Sequence, residues 1–287
     1  MFPFIIAKFN FDDIQMIPVL LINLDRSKDR LNFQKNQLEK LQIPMHRLAA
    51  VECSDFTVSE YEMLANKWQR KLRRAEVGCF LSHKNAWQHV LNTNKPWLIL
   101  EDDALLSKQV PDILKVLGHE YLEKDYVNLE TRYRRKWLGK KSIDLIPDYQ
   151  LRRLYQDRNG SAAYVLFPSG ARKLLDRAEK FGPALADAFL SQSYELDAWQ
   201  IYPAAAIQMD QCENYNLDLM LPFTSTIASI NDTRPMANNR IQYWIFKIRR
   251  IVAQIRMGWR QISVYKKGKH SYVPILKSDF ENQFNLE

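Results

Sequence analysis

The feature that most limits the fold of this chain is the run Pro18-Val-Leu-Leu-Ile-Asn-Leu24. It is apolar almost throughout and lacks the alternation of a strand that faces water. It therefore reads as a strand buried on both faces. Asp25-Arg-Ser27 follows as a turn, with Ser27 placed to cap a helix. That helix carries Leu31, Leu38 and Leu41 near one face and ends before Pro44. Met45 to Val51 reads as a second strand. Strand, helix and strand in this order predict a parallel pair and an α/β fold.

The later segments continue the pattern. A helix is expected around Lys84–Asn92, after Ala75-Glu-Val-Gly-Cys-Phe-Leu-Ser-His83. Trp97-Leu-Ile-Leu100 is another buried strand and runs straight into Glu101-Asp102-Asp103. Tyr126-Val-Asn-Leu129 is a short strand ending at Glu130, and Thr131 to Lys141 reads as a basic loop. Asn159-Gly160 leads into a strand through Phe167. Pro168-Ser-Gly170 then starts a helix that Phe181-Gly-Pro183 breaks. Ile201 to Met209 is the last expected core strand. From Arg240 to Arg260 apolar residues recur at spacings of three and four among cations, with no acid, which predicts an amphipathic helix. The tail beyond Lys269 gives little signal.

Charge narrows the partners. Forty-one Lys and Arg against 33 Asp and Glu give a net charge of +8. Anionic partners are favoured: nucleic acid, phosphorylated small molecules or an acidic membrane face. Nucleic acid is not expected, because no binding module is recognised and the aromatics form no stacking sheet. Cys53, Cys79 and Cys212 are too few and too far apart for a disulfide framework or a Cys-rich zinc site, so a reducing compartment is expected. Met1–Ala7 is apolar but short, with no basic leader, and no run approaches the roughly 18 apolar residues that cross a bilayer. A soluble or peripheral intracellular protein is expected. There is no Gly-x-Gly-x-x-Gly after the first strand and no Walker-type loop.

The sharpest chemical signal is Glu101-Asp102-Asp103. A buried strand delivers three carboxylates at its carboxyl end, the edge of an open α/β sheet where ligands bind. Like charges so close need a cation or solvent to relieve them. Mg²⁺ or Mn²⁺ takes oxygen ligands and bridges to diphosphates. Two readings stand: a metal–diphosphate site, or a solvated acidic loop. Arg26 and Arg30 follow the first strand at the same edge, either to bind diphosphate or base or as a solvated helix start, with Asp29 favouring the helix N-terminus. No Gly-x-Ser-x-Gly elbow surrounds Ser82, which argues against a hydrolase nucleophile.

Four segments occur in order: Ile22-Asn-Leu-Asp-Arg-Ser-Lys-Asp-Arg30, Glu76-Val-Gly-Cys-Phe-Leu-Ser-His83, Leu98-Ile-Leu-Glu-Asp-Asp-Ala104 and Gly160-Ser-Ala-Ala-Tyr-Val-Leu-Phe-Pro-Ser-Gly-Ala171. Together they resemble glycosyltransferase family 25, which includes bacterial lipooligosaccharide galactosyltransferases and is related to collagen galactosyltransferases. The resemblance spans residues 17–230. It implies a GT-A type fold, a Rossmann-like mixed sheet flanked by helices. Residues 1–235 would form the catalytic domain and residues 236–287 a basic amphipathic helical extension. It also implies a nucleotide-sugar donor, often UDP-galactose, a divalent cation (Mn²⁺ or Mg²⁺) and inversion at the anomeric carbon.

Carried onto this chain, the resemblance makes Glu101 and Asp103 the metal candidates, although the motif is Glu-Asp-Asp rather than strict Asp-x-Asp. Asn23, Arg26, Arg30, Ser82, His83, Asp102 and Gly160 are the donor-binding candidates. Asp187 is the candidate general base and Glu130 the second choice. The segment after Tyr164 reads Leu-Phe-Pro-Ser-Gly, where relatives often carry Ser/Lys-type residues. Arg132, Arg134, Arg135, Lys136, Lys140 and Lys141 would receive phosphates of a lipid-linked oligosaccharide acceptor. The terminal helix would lie on anionic lipid at the inner face of the cytoplasmic membrane, or dock on the catalytic domain. The expected activity is hexosyl transfer to a lipooligosaccharide or lipopolysaccharide core. The alternative is a non-catalytic nucleotide-sugar or glycolipid-binding protein on the same scaffold.

Overall fold

The apolar run before Leu24 forms β1 (Val19–Asn23), buried at all five positions. α1 (Lys28–Lys40) returns the chain to β2 (Met45–Ala49), parallel to β1 as expected. The computed structural model describes residues 16–157, 160–217, 235–237 and 239–281; Met1–Ala7 and Asn159 lie outside them. Ser27 precedes α1, but its hydroxyl makes no capping bond, contrary to expectation. The turn is held instead by Asn23, whose side-chain amide donates to the Ser27 carbonyl at 3.1 Å.

α2 (Val58–Ala65) and α3 (Arg74–Thr93) lead to β3 (Trp97–Glu101), parallel to β1 on the side away from β2. α3 starts well upstream of Lys84. Glu76 accepts from the Arg73 N–H at 2.8 Å and pairs with Arg70 at 2.7 Å, so both residues hold the helix start. Because β2 and β3 flank β1 on opposite sides, the crossover direction reverses there. A crevice opens outside the carboxyl ends of β1 and β3.

β4 (Ala104–Leu106), α4 (Val110–Glu120) and β5 (Tyr126–Asn128) follow. The expected basic loop is largely a strand: β6 (Arg135–Ile146) pairs with β7 (Tyr149–Gln156) in a long hairpin. Its cations hid it, because Arg135, Lys140 and Lys141 are exposed while Lys136 and Leu138 are buried. β8 (Ala163–Leu166) inserts antiparallel between β3 and β5, and α5 (Pro168–Phe181) and α6 (Ala186–Ser191) follow it. The single strand expected over Ile201–Met209 is two. β9 (Ala198–Tyr202) joins the main sheet, and β10 (Ala206–Gln208) pairs with β4 in a separate small sheet. α7 (Arg240–Val264) fulfils the amphipathic expectation, and β11 (Gly268–Tyr272) gives the tail a place beside β6.

Among the described residues the main sheet has nine strands, in the order β11-β6-β7-β9-β5-β8-β3-β1-β2. One face packs Val19, Leu21, Leu98 and Leu100 against α1 and α4. The other packs Leu20, Ile99 and Tyr164 against α3, α5 and α6. Hence Leu98 and Leu100 point to one helical layer, while Ile99 and Glu101 point to the other. Among the described residues no helix is long and apolar enough to cross a membrane.

Candidate active site

The carboxyl edge of β3 turns sharply at Asp102–Asp103 into β4, and the three consecutive carboxylates separate. Glu101 points to the α3 side. Its Oε1 meets His83 Nε2 at 3.2 Å and accepts from Ser161 Oγ at 2.6 Å. His83 is held from its other side by Tyr164. Trp87 Nε1 can only donate, and it does so to the Tyr164 hydroxyl at 2.9 Å. The Tyr164 hydroxyl lies 2.9 Å from His83 Nδ1, so a continuous line of polar contacts runs from Trp87 through Tyr164 and His83 to Glu101. Burial opposes charge on Glu101, but His83, Ser161 and Arg132 outweigh it and hold the carboxyl below its usual value.

Asp102 turns to the α1 side. It accepts from Arg30 at 2.8 Å and from the Asn23 amide at 2.8 Å, and so joins the ends of β1 and β3 across the crevice. Arg47 fixes Asn23 in turn, with Nε donating to its Oδ1 at 3.1 Å. Asp103 has an amide rather than a cation as partner, Gln208 Nε2 at 3.3 Å. Burial, with Glu101 and Asp102 beside it, pushes its carboxyl up to about 7. The turn's backbone is held from α1. Gln34 donates to the Asp102 and Ala104 carbonyls at 3.2 and 2.7 Å, and Gln37 accepts from the Leu106 N–H at 2.9 Å.

The antiparallel insertion of β8 brings its first residues to this same edge. The Glu101 N–H donates to the Ala162 carbonyl at 2.8 Å, and the Ala162 N–H donates to Glu130 Oε2 at 2.9 Å. Gly160 has a φ of +110°, and a Cβ there would stand 3.1 Å from Glu130 Oε2. The missing side chain makes room for Glu130. Glu130 is fully buried, and among the described residues its Oε1 has no hydrogen-bond partner. Burial, with Glu101 adding to it, pushes Glu130 up to about 8 against the opposing Ala162 bond and the Lys136 and Arg132 charges.

Asp187 lies in the first turn of α6 and accepts from the Ala188 N–H at 2.7 Å. Burial raises its carboxyl, with Glu101 and Asp157 adding and the Ala188 bond and Arg132 opposing. Arg132 therefore acts on Glu101, Glu130 and Asp187 alike, while pairing with Asp210 at 2.6 Å. On α3, Cys79 stands one turn before His83. Its thiol is raised well above the ordinary range by desolvation and by Glu101, Asp187 and Asp103.

Glu101, Asp102, Asp103, Glu130 and Asp187 thus share one electrostatic neighbourhood, with Asn23, Arg30, His83 and Gly160 supporting it. Two expected donor contacts lie elsewhere. Ser82 is buried, and its hydroxyl donates to the Gly78 carbonyl and accepts from the Val51 N–H, both at 2.8 Å. Arg26 pairs with Glu52 at the surface. His83, only 1% exposed, meets the acidic turn through Glu101. Nor is the 132–141 cluster a single phosphate surface. Lys136 is buried against Asp157 at 2.6 Å, and Arg135 lies over the Tyr272 ring. Sequence reasoning missed Gln34, Gln37, Gln208 and Cys79, and did not place Arg132 beside the carboxylates. One signal was available: Gln34, Gln37 and Leu38 share a helical face in an otherwise polar segment.

Among the described residues no three His, Cys, Asp or Glu side chains form a cage that could hold a metal. A hard cation bound through one or two carboxylates and completed by phosphate oxygens needs none. Glu101 and Asp103 fit that role. Glu101 is held ionised, and Asp103 is raised first by burial and then by the charges of Glu101 and Asp102, which a cation would offset.

Over residues 16–190 the chain matches the model of glycosyltransferase family 25, described as an LPS biosynthesis protein. It is 31% identical over 205 residues to procollagen galactosyltransferase 1-B of Xenopus laevis, covering 66% of this chain and 32% of that protein. To procollagen galactosyltransferase 2 of Homo sapiens it is 28% identical over 201 residues, 65% of this chain and 31% of that one. To the lipooligosaccharide biosynthesis protein lic2B of Haemophilus influenzae it is 24% identical over 163 residues, 54% and 60% of the two chains. The match spans about a third of the length of these procollagen galactosyltransferases.

Proposed function

We propose, since the chain belongs to glycosyltransferase family 25, that it transfers a hexose, galactose from UDP-galactose, to a core sugar of lipooligosaccharide or lipopolysaccharide, inverting the anomeric carbon. The names of its relatives support the sugar and the acceptor class. The observation that carries the reading is the acidic turn Glu101–Asp103 at the sheet's switch point, with Asp187 and Arg132 in its field.

Glu101 and Asp103 would hold a divalent cation, which supplies charge stabilisation for the departing diphosphate. Arg30 and Asn23 fix Asp102 and so keep the turn's shape. Asp187 takes the proton of the acceptor hydroxyl, and its raised carboxyl is a stronger base than an ordinary Asp. The hydroxyl oxygen bonds to the anomeric carbon as the bond from that carbon to the β-phosphate oxygen breaks, and the electron pair leaves with UDP. Arg132 offsets the charge that develops near the carboxylates. Glu130 is closed from solvent and uncharged near neutral pH, so it acts as a positioning residue that holds the Ala162 N–H.

The test is a UDP-release and transfer assay with UDP-galactose, a truncated lipooligosaccharide acceptor and Mn²⁺. Asp187→Asn should lower kcat about a hundredfold or more with little change in donor KM. Asp103→Asn should raise donor KM and blunt the response to Mn²⁺. A full rate in Asp187→Asn removes the base assignment. Donor binding without acceptor-stimulated UDP release would establish the non-catalytic alternative.

A further inference from the structure

α7 meets the rest of the protein along one side. Gln242 donates to Asn66 Oδ1 at 2.7 Å, and Arg249 donates to the Asn66 and Trp68 carbonyls at 2.6 and 3.1 Å. Arg260 donates to the Tyr155 carbonyl at 3.0 Å, and Phe246 and Val264 are the helix's buried residues. At 3.6 residues per turn these five positions fall within a sector of about 60°. The far side of the helix carries Ile241, Trp244, Ile248, Ile255, Trp259 and Ile262. Their exposures run from 54% at Ile255 to 73% at Ile241. Docking on the catalytic body therefore leaves the larger apolar stripe facing outward.

Charge frames that stripe. By the same helical geometry Arg240 and Lys247 line one margin and Arg256 the other. The helix contains no Asp or Glu, and Lys266, Lys267 and Lys269 follow it. We propose that α7 lies in the interface of an anionic bilayer, its isoleucines at the acyl boundary and Trp244 and Trp259 at headgroup depth. At about 37 Å it presents a convex ridge rather than a groove, the shape a planar surface receives. A second copy is disfavoured, because pairing two such helices would bring cationic margins together with no carboxylate between them.

The full chain is to be co-sedimented with vesicles of phosphatidylcholine alone and of phosphatidylcholine with phosphatidylglycerol. Strong binding to the anionic vesicles is expected, weakening as salt rises. The double variant Ile248→Ser/Ile255→Ser should lose about tenfold or more of that binding. It should keep its melting temperature and its turnover on a lipid-free acceptor. Lys247→Gln/Arg256→Gln should weaken binding to anionic vesicles only. Three outcomes overturn the proposal: a chain that stays in the supernatant with both vesicles, as it would if another part of the chain covered the stripe; undiminished binding in the isoleucine variant; or a dimer that the same variant dissociates. Vesicle binding and sugar transfer are read separately, so failure of one leaves the other standing.

Discussion

Glu101, Asp102 and Asp103 are adjacent in the chain but face different partners. Glu101 is stabilised as an anion through the line Trp87, Tyr164, His83; Asp102 is paired with Arg30; Asp103 rises to about 7. Among the described residues the carboxyl most removed from solvent is Glu130. With a native value near 8 against the usual 4.5, the folded chain holds a proton that the unfolded chain has released between those pH values. Its contribution to stability is therefore present below about 4.5 and falls as pH rises toward 8, by a few kcal/mol over the window. Asp103 adds a slope of the same sign. Glu130→Gln keeps the acceptor for the Ala162 N–H and removes the titration. Melting curves should show the variant similar to the parent at the acid end, more stable above pH 8, and less pH-dependent between. Parallel curves would mean that Glu130 is ionised in the native state.

At the scale of elements, α5 and α7 respond oppositely to the same chemical change. Gly170 sits in the first turn of α5 against the backbone before β5, and a Cβ there would fall 2.1 Å from the Asp125 carbonyl oxygen. Backbone cannot move as a flexible side chain does. Gly170→Ala should cost about 2 kcal/mol or more in urea unfolding. Gly258, inside α7, has nothing within 4 Å of a built Cβ, so Gly258→Ala should stabilise by about 0.5–1 kcal/mol. Equal effects at the two sites would contradict the packing of α5. The elements also differ in how well they can be read. β1 is buried throughout and β3 at its three central positions, and their apolar runs announce them. β6 is half exposed and cationic, so its composition imitates a loop. α1 is anchored by Gln34 and Gln37, whose burial depends on carbonyls about 70 residues away.

For the molecule as a whole, the segment after residue 235 is joined to the body as well as extended from it. β11 pairs with β6, Val273 and Phe280 lie in the core, and Asp279 accepts from the Tyr149 hydroxyl at 2.8 Å. A chain ended at residue 239 should lose cooperative unfolding by far-UV circular dichroism, because it exposes the β6 edge and opens two core sites. An unchanged transition would make residues 236–287 a separable extension. The net charge of +8 is likewise divided in space. Lys136 and Arg177 are buried in ion pairs, whereas the α7 cations border an exposed apolar stripe.

The parallel β1-α1-β2 unit, the buried strand β3 with the acidic turn after it and the two-faced character of α7 were legible in the amino-acid sequence. Each rests on neighbours within a few residues, where burial imposes a local period. Only the tertiary structure decided that β8 enters antiparallel and brings Ala162 to Glu130, that Arg30 is joined to Asp102, that Ser82 and Lys136 are internal, and which side of α7 faces the protein. Those outcomes depend on groups that lie tens of residues apart in the chain. A carboxyl's protonation and a helix's orientation follow from what packs against them, and local sequence does not specify that.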